Sequence, residues 1–455
     1  MTASPFTPFT KQAQAVAGRR ILLEGVELTP RFRETLALME GDTPALFITG
    51  KAGTGKSTLL RYFKETTCKK AVVLAPTGIA AINVDGQTLH SFFRLPSRFV
   101  EKGDIRPIRT ARKLFEKLDT VIIDEVSMVR ADLMDAVDWA LRVNRERYGE
   151  PFGGVRVILF GDLFQLPPVV EETMQAIFAR RYRSPYFFDA NVMQEAPLRV
   201  VELSQIWRQR DEAFIALLNR IRENNATPQD LKVLNRRMWQ PEADDVPGDW
   251  IALTTTNRGA AEINQARLAM LDGKPSTYNA SVTGQFDPAA FPSDPRLVLK
   301  PGAQVMLIRN DLNRRWVNGD IGRVKELLPD AIRVDLDGRD VTVEPVKWEK
   351  IRYGYNEDTD TIGREVVGSF EQFPVRLAWA ITIHKSQGQT FDEVLIDMGR
   401  GAFAHGQLYV ALSRCRSLEG IRLARPVRPS DVIFDARVVE FHRQFSNSEK
   451  GYRSE

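Results

Sequence analysis

Four short apolar runs punctuate the first third of the chain, at residues 45–49, 71–75, 120–123 and 155–160. Each is of strand length, rich in β-branched residues and stopped by Gly, Pro or Asp. Near-continuous apolar runs, as opposed to alternating ones, predict strands buried on both faces of a parallel sheet. Between them, residues 57–64 and 131–147 carry helical patterns. Strand–helix alternation predicts an α/β domain, with its ligand site where loops leave the carboxyl ends of the strands.

The alternation returns after residue 200. Strands are predicted at 250–253, 376–383 and 393–396, and helices at 212–222 and 259–271. The stretch between has another texture. Ile332, Val334 and Leu336 alternate with polar neighbours, the chain turns at Asp337-Gly338, and Val341 and Val343 continue the alternation. Period-two alternation about an Asp-Gly pair predicts a hairpin. Residues 300–370 are therefore expected to form a small antiparallel barrel inserted into a second α/β domain. Residues 92–117, basic at Arg94, Arg98, Arg106, Arg109, Arg112 and Lys113, form a smaller candidate insertion in the first. The expected division is 1–195, 196–299, 300–370 and 371–455.

Length and composition narrow the classes. A chain of 455 residues, 43% apolar and 27% charged, has the balance of a globular protein with ample core. Its net charge, 63 − 59 = +4, permits a polyanionic partner without requiring one. Cys68 and Cys415 lie far apart, and the four histidines are scattered, so neither a disulfide framework nor a zinc spacing is expected. No apolar run reaches the length of a membrane span, and the first residues lack a signal-peptide core. These features predict a cytoplasmic, intracellular protein.

The polar motifs cluster at predicted strand ends. Gly50-Lys51-Ala52-Gly53-Thr54-Gly55-Lys56-Ser57 follows the first strand and opens a helix. Its glycines let backbone N–H groups curl around phosphate oxygens, Lys56 neutralises β/γ charge, and Ser57 ligates Mg²⁺. Gly50, Gly53, Thr54, Gly55, Lys56, Ser57 and Thr58 are thus the predicted nucleotide cradle. Asp124-Glu125 closes the third strand: Asp124 can hold Mg²⁺ through water, and Glu125 can orient or deprotonate an attacking water. Gln165, four residues past Gly161 on leaving the fourth strand, is a candidate γ-phosphate sensor. Arg208 and Arg414 are candidates for stabilising transition-state charge from the second half of the chain.

Taken in order, these residues resemble the PIF-one family of DNA helicases, in the B branch of helicase superfamily one, with RecD-like and Dda-like relatives. The resemblance runs from about Leu36 to Gly420. It includes residues 75–81, 86–93 and 124–128, Pro151-Phe152-Gly153-Gly154, and 161–168. It continues through Arg208-Gln209, 254–257, 382–390 and Tyr409 to Arg414. It implies two RecA-like parallel-sheet motor domains, a wedge insertion at 92–117 and an SH3-like β-barrel insertion at 300–370. It also implies ATP and Mg²⁺ as cofactors, with ATP in the interdomain cleft. Lys56, Glu125, Gln165, Arg208 and Arg414 would be catalytic, and Gly388 would contact both nucleotide and DNA. Pro76, Thr77, His90, Phe92, Thr255, Asn257, His384 and Ser386 would line the DNA track, although one of Phe92 and Phe93 is expected in the core and His384 suits a structural role equally. The basic stretch Arg106, Arg109, Arg112 and Lys113 suits either a duplex contact or a solvated face.

The implied activity is ATP-dependent 5′-to-3′ translocation on single-stranded DNA by a monomer, unwinding duplex or structured DNA. The implied partners are single strands, single/double-strand junctions and G-quadruplexes, and no membrane. The alternative is a DNA-dependent ATPase that translocates without separating strands. One departure stands out. The glutamine with which this superfamily reads adenine is not recognisable in residues 28–38, and Gln12 and Gln14 lie further upstream, which leaves the basis of ATP selectivity open.

Overall fold

The computed structural model describes residues 29–96, 98–205, 211–240, 250–311 and 313–452. Its chain divides into two compact units. The first comprises residues up to 162, 168–206 and 349–368, and the second 163–167, 207–348 and 369 onwards.

The first unit is built on a six-stranded sheet. Its strands are β1 (Ala45–Gly50), β2 (Ala71–Ala75), β3 (Gln87–Thr88), β4 (Thr120–Ile123), β5 (Arg156–Phe160) and β6 (Leu198–Leu203). Their order is β3-β2-β4-β5-β1-β6, and every neighbouring pair is parallel. β1, β4 and β5 are buried along their whole length, which is why they read as unbroken apolar runs. The helix Lys56–Thr66 packs Leu59, Leu60 and Phe63 against Leu46, Ile48, Ile122 and Phe160. Helix Ala131–Arg145 is buried around most of its circumference.

After β6 the chain continues with β7 (Ile251–Thr254), β8 (Ser276–Asn279), β9 (Ser281–Gly284), β10 (Arg296–Leu299) and β11 (Gln304–Leu307). Next come β12 (Ile321–Leu327), β13 (Ile332–Leu336), β14 (Arg339–Val343), β15 (Val346–Asn356) and β16 (Thr361–Gln372). The last four strands are β17 (Val375–Leu377), β18 (Ala380–Thr382), β19 (Val394–Asp397) and β20 (Ile421–Leu423). A parallel sheet runs β18-β7-β19-β20, and an antiparallel sheet runs β14-β13-β12-β11-β17. The Asp-Gly hairpin forms as expected: Leu336 pairs with Arg339, and Asp337 and Gly338 take φ of 49° and 80°. Two consecutive positive φ values are what a two-residue hairpin needs to match strand twist. The fold is thus α/β with two parallel sheets, supplemented by antiparallel ones.

One expected strand breaks in two. Residues 376–383 do not form one strand: β17 joins the antiparallel sheet and β18 the parallel one. The switch occurs at Ala378, whose N–H donates to Gln304 O at 3.0 Å, and Trp379, whose carbonyl accepts from Ala252 N at 2.8 Å. Both pieces are apolar, so the run gives no sign of changing partners.

A second feature has no local sequence signal. Residues 349–368, from the β15/β16 hairpin, pack with the first unit on the β2/β3 edge. There Val73 N donates to the Tyr353 hydroxyl at 3.2 Å, and Tyr353 N donates to Gln87 Oε1 at 3.3 Å. Lys70 pairs with Asp360 at 2.7 Å, Lys113 with Glu357, and Arg364 with Asp85. Among the described residues no helix is long and apolar enough to cross a membrane.

Candidate nucleotide and nucleic-acid sites

In the first unit the predicted cradle lies at the carboxyl end of β1. Gly50, Gly53 and Gly55 have φ of 152°, 81° and 88°. At Gly50 a Cβ would come within 2.5 Å of Leu203 O and 2.7 Å of Thr54 Oγ1, so the close approach itself demands glycine there. Thr54 Oγ1 donates to Lys51 O at 2.9 Å and braces the turn. The Lys56 ammonium lies across the loop, donating to Gly50 O at 2.6 Å and Lys51 O at 3.1 Å. Gly55 caps the helix carrying Lys56, Ser57 and Thr58, and the first turn of a helix offers N–H groups that have no acceptor within the helix itself.

Asp124 and Glu125 sit at the end of β4. Glu125 takes a left-handed φ of 50°, a strained geometry for a non-glycine residue. Burial pushes the Asp124 carboxyl up to about 7, the Glu125 charge adds to the rise, and a backbone hydrogen bond at Glu125 and the Lys56 charge oppose it. A buried carboxylate short of positive charge suits a cation, so Asp124 fits the expected metal role. Among the described residues no cluster of three His, Cys, Asp or Glu could hold a metal by itself.

The segment that leaves β5 crosses into the second unit. Gln165 is buried there, 7% exposed, and its Oε1 accepts from Gln387 Nε2 at 3.4 Å. Arg414, 1% exposed, donates from Nε to Val410 O at 3.0 Å, from Nη1 to Ser386 O at 3.2 Å and Gln389 O at 3.4 Å, and from Nη2 to Ser413 Oγ at 2.9 Å. As placed, it ties the 386–389 turn to its own helix, and it must leave these acceptors to meet a phosphoryl group. Gly388 is exposed within that turn at φ 79°, with open space where a Cβ would stand. Arg208, Gln12 and Gln14 lie outside the described residues.

The expected DNA residues divide by exposure. Thr77 and Asn257 are exposed; Pro76, His90, Thr255 and His384 are half-buried. Thr77 caps the helix Gly78–Asn83 by accepting from Ala80 N, leaving its hydroxyl proton available. Burial holds both His90 and His384 below the ordinary histidine value; at His90 the Arg130 charge adds to this and Asp132 opposes it. Two expectations are corrected. Phe92 is 6% exposed and packs edge-on against Phe93, Phe115 and Tyr353, so both Phe92 and Phe93 are core rather than one of them. Ser386 is fully buried, and its hydroxyl is spent on Ile383 O at 2.8 Å. Within the basic stretch Arg98 pairs with Asp104 and Arg112 with Glu116, while Lys113 pairs with Glu357 of the 349–368 segment.

Comparison with known proteins accords with this geometry. Residues 33–231 match the family model described as PIF1-like helicase, and 377–418 that of the UvrD-like helicase C-terminal domain. The chain is 35% identical, over 92% of its length and 92% of the other's, to the ATP-dependent DNA helicase Pif1 of Bdellovibrio bacteriovorus. The chain belongs to the PIF1-like helicase family. It spans between 55% and 62% of the length of the animal and fungal PIF1 helicases it matches. Bacteroides Pif1 in complex with ADP-AlF4 is similar in structure, with a TM-score of 0.86 and 38% identity over 93% of this chain and 98% of that one. Bacteroides Pif1 bound to single-stranded DNA is similar with a TM-score of 0.68 and 37% identity, over 93% and 98% of the two chains. The two family matches include the expected site residues other than Thr255 and Asn257, which lie between them; Arg222 and His405, discussed below, carry no motif signal that spacing would have revealed.

Proposed function

We propose that this PIF1-like protein is an ATP-dependent DNA helicase that moves 5′-to-3′ on single-stranded DNA and opens duplexes and structured DNA ahead of it. Four residues, Lys56, Ser57, Asp124 and Glu125, at the carboxyl ends of two strands of one sheet carry the reading. There the Lys56 charge already acts on a carboxyl that burial and Glu125 push up.

The chemistry follows from these groups. Lys56 exchanges the loop carbonyls for the β- and γ-phosphoryl oxygens. Glu125 polarises a water; its oxygen bonds to the γ-phosphorus as the bond to the ADP oxygen breaks, and the proton passes to the Glu125 carboxylate. A magnesium ion held by Ser57 and, through water, by Asp124 would neutralise phosphoryl charge. Arg208 and Arg414, with Gln165 and Gly388, are the proposed groups that respond to the nucleotide's terminal phosphoryl.

Pro76, Thr77, His90, Thr255, Asn257 and His384 are the proposed strand contacts, through hydroxyl, amide and imidazole groups that bind backbone and base faces without sequence preference. Phe92 and Ser386 support these segments from within. Residues 92–117 serve as a wedge and 300–370 as an SH3-like barrel on two RecA-like domains. A duplex with a 5′ single-stranded tail should be separated with ATP and a 3′-tailed one left intact. ATP consumption without separation of either would favour a pure translocase.

A further inference from the structure

Residues 163–167 are a short excursion: β5 ends in the first unit at Phe160, these residues pack with the second, and the chain returns at Pro168. What holds them is unusually complete. The carbonyl of Leu163 accepts from His405 Nε2 at 3.1 Å, while His405 Nδ1 accepts from Asp435 N at 2.9 Å. Because Nδ1 receives an N–H, the neutral ring must carry its proton on Nε2, so the bond to Leu163 has a fixed direction. The Arg222 guanidinium carbon lies 3.9 Å from the centroid of the Phe164 ring, whose edge-on neighbour at 5.2 Å is His442. Arg222 is itself buried, where a cation over a ring gains most. Gly406, at φ 69°, brings its backbone against the segment: a Cβ there would come within 2.2 Å of Phe164 O and 2.8 Å of Gln165 O. Leu166 is buried in the second unit's core. The residue on both sides of Gln165 is therefore fixed, and the Gln165 amide itself meets Gln387.

We infer that Arg222 and His405 are positioning residues for Gln165: they anchor residues 163–167 to the second unit so that the Gln165 amide is presented to the terminal phosphoryl of the nucleotide. The inference rests on the reading of this chain as an ATPase in which Gln165 meets that phosphoryl. Neither residue touches nucleotide. Both act by removing the freedom of the segment, so their loss lowers turnover and leaves binding of nucleotide and DNA in place.

The test is steady-state ATP hydrolysis at saturating oligothymidylate, with single-strand affinity measured alongside by fluorescence anisotropy. His405→Ala and Arg222→Lys, which loses the flat guanidinium face but keeps the charge, should each lower kcat about tenfold with KM for ATP and DNA affinity within about twofold. His405→Gln, whose amide restores a donor, should recover most of the loss. Adding His405→Ala to Gln165→Ala should lower kcat no further than Gln165→Ala alone, because the two act as a unit. Multiplying losses in that double variant, an unchanged kcat in Arg222→Lys, or a rise in KM in place of the fall in kcat would each overturn the positioning role. If His405→Ala does not fold, His405→Gln and Arg222→Lys decide the matter. An unchanged kcat in Gln165→Ala overturns the sensor assignment and this inference with it, while the ATPase reading stands. Absence of DNA-stimulated hydrolysis in the unaltered protein overturns that reading first.

Discussion

At the residue scale Asp124 carries the clearest trade between fold and function. Its carboxyl is pushed up to about 7, chiefly by burial and then by the Glu125 charge. In the unfolded chain the same group titrates near ~3.9, so between about 4 and 7 the folded protein holds the extra proton. Without a divalent cation, stability therefore falls as pH rises through that window and levels off above it. Asp124→Asn removes the penalty: measured in EDTA, its melting temperature should rise relative to the unaltered protein as pH goes from 5 to 8. The same variant should lose at least about a hundredfold in ATP turnover. A melting difference that is flat with pH would refute the account of this carboxyl. The residue scale also shows where reading the chain stops. Lys56 and its glycines were legible because phosphate cradling needs that sparse pattern at a strand end. Phe92, Ser386 and Arg414 were named from their motifs, but motif membership does not say whether a side chain faces out or spends its polar atoms on a neighbouring carbonyl.

At the element scale, strands buried on both faces were the most legible: residues 71–75 and 120–123 were expected with the bounds they have, because their burial leaves almost only apolar positions. The change of sheet at Ala378 and the docking of residues 349–368 were not, since both depend on partners distant in sequence. The Asp337-Gly338 turn is a local device and makes a local prediction. Gly338→Val forces a β-branched residue to φ 80° and should destabilise the antiparallel sheet by about 1–3 kcal/mol, read as a lower denaturant midpoint. An unchanged midpoint would mean that the turn relaxes freely. On the docked hairpin, Tyr353→Ala removes a buried ring and a hydrogen-bond partner of the Val73 amide. It should cost about 3–5 kcal/mol of first-unit stability, whereas a loss under about 1 kcal/mol would place the ring outside the core.

At the scale of the whole molecule, a net charge of +4 on 455 residues says little, and a nucleic-acid partner is indicated instead by the ordered motifs and family membership. The grip proposed for the strand relies on phosphate contacts, so single-strand affinity should fall steeply and log-linearly with salt through counterion release. A flat salt response would leave only stacking and hydroxyl contacts. The motor reading further requires that hydrolysis and strand binding depend on different residues while answering to one another.

The most direct measurement is phosphate release by the unaltered protein and by Lys56→Ala, with and without single-stranded DNA, alongside strand affinity for both. The account predicts strong stimulation by DNA in the first, abolished hydrolysis in the second, and affinities within about threefold of each other, since Lys56 serves phosphates of the nucleotide alone. Hydrolysis indifferent to DNA, or loss of strand binding along with Lys56, would contradict it.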